Sequence, residues 1–159
     1  MPQVELRAAV DSDVEPLVEI LNEPSVARWW GGNDAGTVRG NLDITFVVLV
    51  DGEIAGLMLY EDEKDLEYRH VALDISLATR FQGQGIAGDA LRQAIRHFAR
   101  QGHHRFAIDP AADNENAIKA YAKVGFKPVG VMRKYERHGV DQPFHDSLLM
   151  DLLVEELED

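Results

Sequence analysis

The sequence predicts a mixed α/β (α+β) domain in which strand hairpins at both ends of the chain flank a central βαβ unit. Two strand-like runs, residues 44–50 and 53–60, are separated only by Asp51-Gly52, which is a strong hairpin signal. A glycine-rich segment in the middle of the chain lies between a strand-like run and an amphipathic helix. The length of 159 residues is typical of one domain, so we expect a single domain over residues 1–159.

The first half of the chain contains two predicted helical segments and three predicted strands. Asp11 or Ser12 is the predicted cap of the first helix. In order, the predicted elements are a strand over 4–8, a helix over 13–22, a short segment from Pro24 to Gly32, a helix or loop over 33–41, the hairpin strands 44–50 and 53–60, and an acidic turn over 61–65.

The second half alternates strands and helices before it ends in a hairpin. Asn114 is the predicted cap of the last helix, because an asparagine side chain accepts hydrogen bonds from the first turn. In order, the predicted elements are a strand over 68–78, the glycine-rich segment 82–88, a helix over 91–99, a strand over 105–109, a helix from Asn114 to Gly125, and strands over 127–137 and 144–153.

Charge and composition exclude several classes of function. Sixteen Lys and Arg oppose 28 Asp and Glu, and the net charge of −12 disfavours nucleic-acid partners and favours cationic ones. The absence of cysteine excludes a thiol nucleophile and Cys-ligated metals, and the six histidines lack ligand spacing, so we expect no metal. No apolar run approaches the ~20 residues of a membrane span and no signal segment is apparent, so we expect a cytoplasmic protein without membrane partners.

The glycine-rich segment is suited to binding a pyrophosphate group. Two cofactors that contain such a group, a nicotinamide dinucleotide and coenzyme A, are alternative interpretations. Gly83, Gly85 and Gly88 form G-x-G-x-x-G, and Asp109 lies about 20 residues downstream, as in dinucleotide-binding folds. Three features disfavour a nicotinamide cofactor. The loop lies halfway along the chain, five residues separate the strand from the first glycine, and the preceding strand carries Asp74 in its interior.

Two motifs favour coenzyme A instead. The segment 82–87, Q-G-Q-G-I-A, matches Q/R-x-x-G-x-G/A, and residues 114–126 match N-x-x-A-x-x-x-Y-x-K-x-G-F. Over roughly residues 44–150 the chain therefore resembles the GNAT acetyltransferases. The resemblance implies the GNAT fold, a mostly antiparallel twisted sheet of six to seven strands flanked by about four helices. It also implies acetyl-CoA as the co-substrate.

The resemblance also implies direct transfer of the acetyl group to an amine, without a covalent enzyme intermediate. Asp74 is the candidate for holding and deprotonating the amine, and its alternative is a surface residue paired with Arg69 or Arg80. Tyr121 is the candidate acid for the departing thiolate. The expected coenzyme-binding residues are Ser76 and Leu77, whose backbone N–H groups would serve the thioester carbonyl, the segment Gln82, Gly83, Gln84, Gly85, Ile86, Ala87 and Gly88, and Asn114 and Ala117 beside the pantetheine arm.

Within this superfamily the chain is most similar to the type I aminoglycoside 6'-N-acetyltransferases. The matching segments are Trp29-Trp30-Gly31-Gly32, the strand 71–74, and Asp109-Pro110 four residues before Asn114. The resemblance implies an aminoglycoside acceptor and, biologically, antibiotic resistance. The expected acceptor-binding residues are Trp29, Trp30, Asp74, Asp109 and Asp146, with Glu136 as a possible addition.

Other functions remain open from the sequence. Siderophore amines and protein N-termini are alternative acceptors, and a non-catalytic acyl-CoA sensor is the alternative of another class. Residues 135–146 form a charged hairpin that departs from the resistance enzymes and could contact the substrate or a second subunit. Both a monomer and a homodimer are compatible with the sequence.

Overall fold

The computed structural model describes the whole chain, Met1–Asp159, as a seven-stranded sheet with five α-helices. The strands are β1 Val4–Ala8, β2 Thr45–Val50, β3 Glu53–Asp62, β4 Val71–Leu77, β5 Arg105–Ile108, β6 Lys127–Glu136 and β7 His145–Leu153. The helices are α1 Val14–Leu21, α2 Pro24–Trp30, α3 Ala35–Gly40, α4 Ile86–Ala99 and α5 Glu115–Val124. The predicted mixed fold is confirmed.

The sheet is open, with the strand order β1-β2-β3-β4-β5-β7-β6. The pairs β1/β2, β2/β3, β5/β7 and β6/β7 are antiparallel, and β4/β5 is parallel. Because parallel neighbours need a crossover, the connection from β4 through α4 to β5 is the predicted βαβ unit. The turn predicted at Asp51-Gly52 connects β2 to β3.

By its internal contacts the chain forms two compact units. The first unit comprises Met1–Tyr60 and Ile75–Ala90, and the second comprises Glu61–Asp74 and Leu91–Asp159. The core of the first unit is a cluster of buried aliphatic residues at helical spacing in α1–α3, packed on β2 and β3. Its members are Val14, Leu17, Leu21, Val26, Val38, Val47 and Leu57.

The start of α1 differs from the prediction. Asp11 and Ser12 do not cap this helix, because residues Asp11–Asp13 form a short 3₁₀ turn before it. The carboxylate of Asp13 is buried there. It accepts two hydrogen bonds from the Arg7 guanidinium, at 2.7 and 2.9 Å, and one from the Val10 N–H, at 2.8 Å. This turn therefore ties the end of β1 to the beginning of α1.

The second unit is built on β5, β7 and β6, with α5 beside them. Phe106, Val124 and Leu152 are buried there. Helix α4 begins at Ile86, five residues before the predicted start, and therefore inside the glycine-rich segment. No helix in the chain is both long and apolar enough to span a membrane.

Candidate active site

The glycine-rich segment links the end of β4 to the start of α4. After a 3₁₀ turn at Thr79–Phe81, Gly83 and Gly85 adopt φ angles of 74° and 80°. These left-handed conformations are available to glycine without strain. A Cβ atom built on either glycine meets no atom within 4 Å, so the glycines also leave the space beside the loop open.

The first turn of α4 presents backbone donors to this open space. The Asp89 N–H bonds to the Gly85 carbonyl at 3.2 Å and is the first to make the helical i→i−4 bond. The N–H groups of Ile86, Ala87 and Gly88 therefore have no acceptor within the helix. Together with the positive end of the helix dipole, they form the kind of site that binds phosphate. The loop thus fits a diphosphate.

The two glutamine side chains of the loop shape its backbone. Gln82 Nε2 donates to the Leu77 carbonyl at 3.0 Å and to Ser25 Oγ at 3.3 Å. Gln84 Nε2 donates to the Arg80 carbonyl at 2.8 Å. The side chains of these two predicted coenzyme-binding residues therefore hold the loop in place, and its backbone N–H groups are the donors that can meet an anion.

The start of α2 holds the turn that precedes the loop. Glu23 Oε1 accepts hydrogen bonds from both the N–H and the hydroxyl of Thr79, each at 2.7 Å. Ser25 Oγ lies 2.7 Å from Thr79 Oγ1 and also meets Gln82. These bonds tie the segment that carries the tryptophans to the glycine-rich loop.

Ser76 and Leu77, the predicted donors to the thioester carbonyl, are buried at the end of β4. Gly56 of β3 approaches them closely. A Cβ atom on Gly56 would lie 2.0 Å from the Ser76 carbonyl oxygen and 2.9 Å from Leu77 Cα. The position of the β4 backbone therefore depends on the absence of a side chain at residue 56.

In the second unit, the hydroxyl of Tyr121 lies in the field of two carboxylates. Tyr121 is buried in α5, and its ring packs edge-on against Phe126 with centroids 6.4 Å apart. Burial raises the pKa of this phenol well above its usual value, and the charges of Asp74 and Asp109 raise the pKa further. The Tyr121 phenol therefore keeps its proton in the neutral range, and its hydroxyl is available as a hydrogen-bond donor.

Asp74 is exposed on β4. The two arginines named as its alternative partners have contacts of their own. Arg80 pairs with Glu53 at 2.8 Å, and Arg69 donates to the Gln101 carbonyl at 2.8 Å.

Asp109 is partly buried at the end of β5, among further acidic and phenolic groups. Burial raises the pKa of its carboxyl, the nearby Glu136 raises it further, and a hydrogen bond from Tyr135 opposes both effects. The charge of Asp109 in turn raises the pKa of the Tyr135 phenol. The structure thus brings Asp74, Asp109 and Tyr121 together and adds Tyr135 and Glu136 to them.

The remaining predicted residues have identifiable local surroundings. Asn114 caps α5, as predicted, because its Oδ1 accepts the Ala117 N–H at 3.3 Å. Asp146 is exposed, and its Oδ1 accepts the Lys134 N–H at 2.8 Å. In the first unit, Trp30 packs against the aliphatic core, and the Trp29 ring lies beneath the Arg28 guanidinium at 4.6 Å. No group of three or more metal-ligating side chains is arranged to hold an ion.

The sequence profile of the Acetyltransferase (GNAT) family matches residues 8–126 of the 159. This chain belongs to the GNAT family. GNAT members transfer acetyl groups from acetyl-CoA. The open glycine loop at the start of α4 has backbone N–H donors suited to the diphosphate of this coenzyme.

Characterised GNAT relatives differ in their acceptors. The aminoglycoside N(6')-acetyltransferase type 1 of Klebsiella pneumoniae is 25% identical over 155 residues, covering 81% of this chain and 76% of the relative. The ribosomal-protein-serine acetyltransferase of Escherichia coli K12 is also 25% identical, over 152 residues and 84% of each chain. The structure of AAC(6')-Ib with paromomycin and acetyl-CoA superposes with a TM-score of 0.79 at 21% identity, covering 97% of this chain and 95% of the other. The last likeness shows the shared fold.

The sequence did not indicate Tyr135 and gave Glu136 only a secondary place in this candidate site. Both residues lie in the charged hairpin 135–146, whose local sequence shows no motif. Tyr135 lies within a register shift between β6 and β7, and Glu136 lies at its end. A register shift has no signature in residue spacing, so only the high density of charge and aromatic residues there could have drawn attention to them.

Proposed function

We propose that this GNAT protein acetylates a small polycationic amine, and that the 6'-amine of an aminoglycoside is the best candidate acceptor. The observation that carries this proposal is the set of carboxylates around one buried tyrosine, Asp74 and Asp109 at Tyr121 with Glu136 at Asp109. Several carboxylates at close quarters suit an acceptor with several ammonium groups, because each charge pair strengthens binding.

In the proposed reaction, backbone N–H groups make most of the contacts with the coenzyme. Acetyl-CoA supplies the activated acetyl group as a thioester. The N–H groups of the segment 82–88 hold the diphosphate, and Ser76 and Leu77 donate a backbone N–H to the carbonyl oxygen as it gains negative charge. Ala117 allows the pantetheine arm to lie close to α5, and the Asn114 side-chain nitrogen donates to it while Oδ1 caps the helix.

The acceptor amine must lose a proton before it can attack. Asp74 holds the ammonium group and takes or relays its proton, a role for which its exposed position on β4 is suited. Asp109 anchors a second ammonium group. Burial and Glu136 raise the pKa of the Asp109 carboxyl, and an ammonium group beside it favours the charged form.

Tyr121 assists the departure of the coenzyme A thiolate. Its phenol keeps its proton at neutral pH, because burial and two carboxylates raise its pKa. As the carbon–sulfur bond breaks, the hydroxyl donates a hydrogen bond to the departing thiolate, and the thiolate takes up the proton that the amine has released. The group that assists the thiolate and the carboxylate that binds the amine are thus separate residues.

The decisive experiment is thiol release from acetyl-CoA across a panel of aminoglycosides, polyamines, siderophore amines and peptides with serine N-termini. We expect turnover with the polycationic members. Turnover restricted to the peptides would overturn the proposal of a polycationic amine as the acceptor and would favour protein N-terminal acetylation. An absence of turnover with every amine, together with a melting shift caused by acetyl-CoA, would instead indicate an acyl-CoA sensor.

The variant Asp74→Asn tests the assignment of the base. We expect kcat/KM for the amine to fall by about 10²–10⁴-fold while the affinity for acetyl-CoA is unchanged. Asp43→Asn is the matched control, because Asp43 is also an exposed aspartate and its side chain is assigned no part in the reaction. Equal activities of the two variants would refute the assignment.

A further inference from the structure

Asp146 connects the two segments that carry the Asp109–Tyr135 pair. On one side, its backbone oxygen accepts the Ala112 N–H at 2.9 Å, in the segment that follows Asp109. On the other side, its Oδ1 accepts the N–H of Lys134 at 2.8 Å, next to Tyr135. Asp146 of β7 thus holds the backbone next to Tyr135 and the backbone that follows Asp109.

The β6 strand bulges at this point. Met132 pairs with Ser147 and Glu136 pairs with His145, so residues 133–135 of β6 lie opposite Asp146 alone. Lys134 adopts a φ of 48°, a left-handed conformation that is uncommon for a residue with a side chain. A bulge redirects the side chains that it carries, and it persists only where its surroundings hold it.

We propose that Asp146 is a positioning residue of the acceptor site: by holding the Lys134 N–H it maintains the bulge that directs the Tyr135 hydroxyl onto Asp109. The proposal rests on the proposed function insofar as it takes Asp109 to bind the acceptor. It differs from the sequence prediction, in which the Asp146 carboxylate itself meets an ammonium group. In the proposed role Asp146 needs an acceptor oxygen but no charge.

The charged surroundings of Asp109 explain why this geometry matters. Glu136 on β6 repels the Asp109 charge, Tyr121 on α5 and Tyr135 on β6 face it, Asp74 acts on Tyr121, and Glu61 acts on Tyr135. The Tyr135 hydrogen bond lowers the pKa of Asp109 against burial and Glu136. If Tyr135 turned away, this hydrogen bond would no longer oppose burial and Glu136, so the pKa of Asp109 would rise further and its carboxylate would bind an ammonium group more weakly.

The first test needs no acceptor. The Tyr135 phenol is titrated by NMR with ¹³Cζ-labelled tyrosine and assigned from Tyr135→Phe. In Asp146→Ala we expect its pKa to fall towards the usual tyrosine value, as it should in Asp109→Asn. In Asp146→Asn, which keeps an acceptor oxygen, we expect the wild-type titration. An unchanged Tyr135 titration in Asp146→Ala would overturn the proposal even if the acceptor assignment is correct.

The second test uses the amine that the panel identifies. We expect Asp146→Ala and Tyr135→Phe each to raise the amine KM roughly 3- to 10-fold and to shift the acidic limb of the pH profile upwards. Asp146→Asn should behave as wild type, and the double variant should be no worse than either single one. Equal losses in Asp146→Ala and Asp146→Asn would show direct ammonium binding and refute positioning.

A further variant keeps the test valid if Asp146→Ala fails to fold. Lys134→Gly allows the left-handed conformation without strain, so the bulge depends less on Asp146. We expect Lys134→Gly to restore both folding and the Tyr135 titration in the Asp146→Ala background. A double variant that folds but lacks the raised Tyr135 pKa would contradict the proposal.

Discussion

A methyl group at Gly56 should disable the enzyme through the position of the β4 backbone. The Cβ atom of Gly56→Ala would lie 2.0 Å from the Ser76 carbonyl oxygen and 2.9 Å from Leu77 Cα. Both neighbours are backbone atoms within a sheet, so neither can move by changing a rotamer. To reach even the 3.0 Å at which real contacts begin, β3 and β4 must separate by about 1 Å at this point.

That separation sets the size of the expected effect. Overpacking of this kind destabilises proteins by about 1–3 kcal/mol, and the upper end applies because the strain cannot relax through a side chain. Ser76 and Leu77 are also the proposed donors to the thioester carbonyl. A displacement of ~1 Å at such a group can lower kcat about 10²-fold.

Urea unfolding and thiol-release kinetics measure the two effects separately, the kinetics at a temperature where the variant is fully folded. Gly130→Ala is the matched control. Gly130 also lies in a strand, but a Cβ atom there meets nothing within 4 Å, so stability should be unchanged or slightly higher. If Gly56→Ala unfolded at the same urea concentration as Gly130→Ala and retained the wild-type kcat, the close approach of β3 and β4 would be refuted.

Three further predictions follow from individual contacts. Asn114→Ala should lower the free energy of unfolding by about 1 kcal/mol in urea titrations, because the cap of α5 is lost, whereas Asn114→Asp should retain most of it. The pKa of Asp13 is held below its usual value mainly by the Arg7 hydrogen bond, so its stabilisation is complete above about pH 4 and is lost as the pH falls further. Unfolding at pH 7 and pH 3 should therefore show a smaller pH-dependent loss in Asp13→Asn than in wild type, and an equal loss would contradict this role. Glu23→Ala should weaken acetyl-CoA binding several-fold by calorimetry, since it removes the Oε1 acceptor that holds two groups of Thr79 before the loop, and an unchanged Kd would show that the loop does not depend on α2.

Local signals in the sequence were sufficient for most elements of the fold. The two-residue turn at Asp51-Gly52, the helical spacing in α1 and the cap at Asn114 each depend on residues close together in the chain, and the structure contains all three. The predicted start of α4, at residue 91, is five residues too late, because the amphipathic spacing becomes clear only after the glycine-rich segment. In the structure the last glycine of the motif, Gly88, already lies in the first turn.

The candidate site, like the fold, was predictable only where it depends on residues that are close together in the sequence. The sequence by itself determined the family motifs, because the glycine loop and the residues 114–126 are contiguous patterns. The candidates Asp74 and Asp109 came from the resemblance to known acetyltransferases, and their place beside Tyr121 depends on the structure. Only the tertiary structure decided that Tyr135 meets Asp109 and that the Asp146 carboxylate binds the Lys134 backbone. These contacts depend on strand register and on a bulge, which arise from the pairing of β6 with β7 rather than from the sequence of either strand alone.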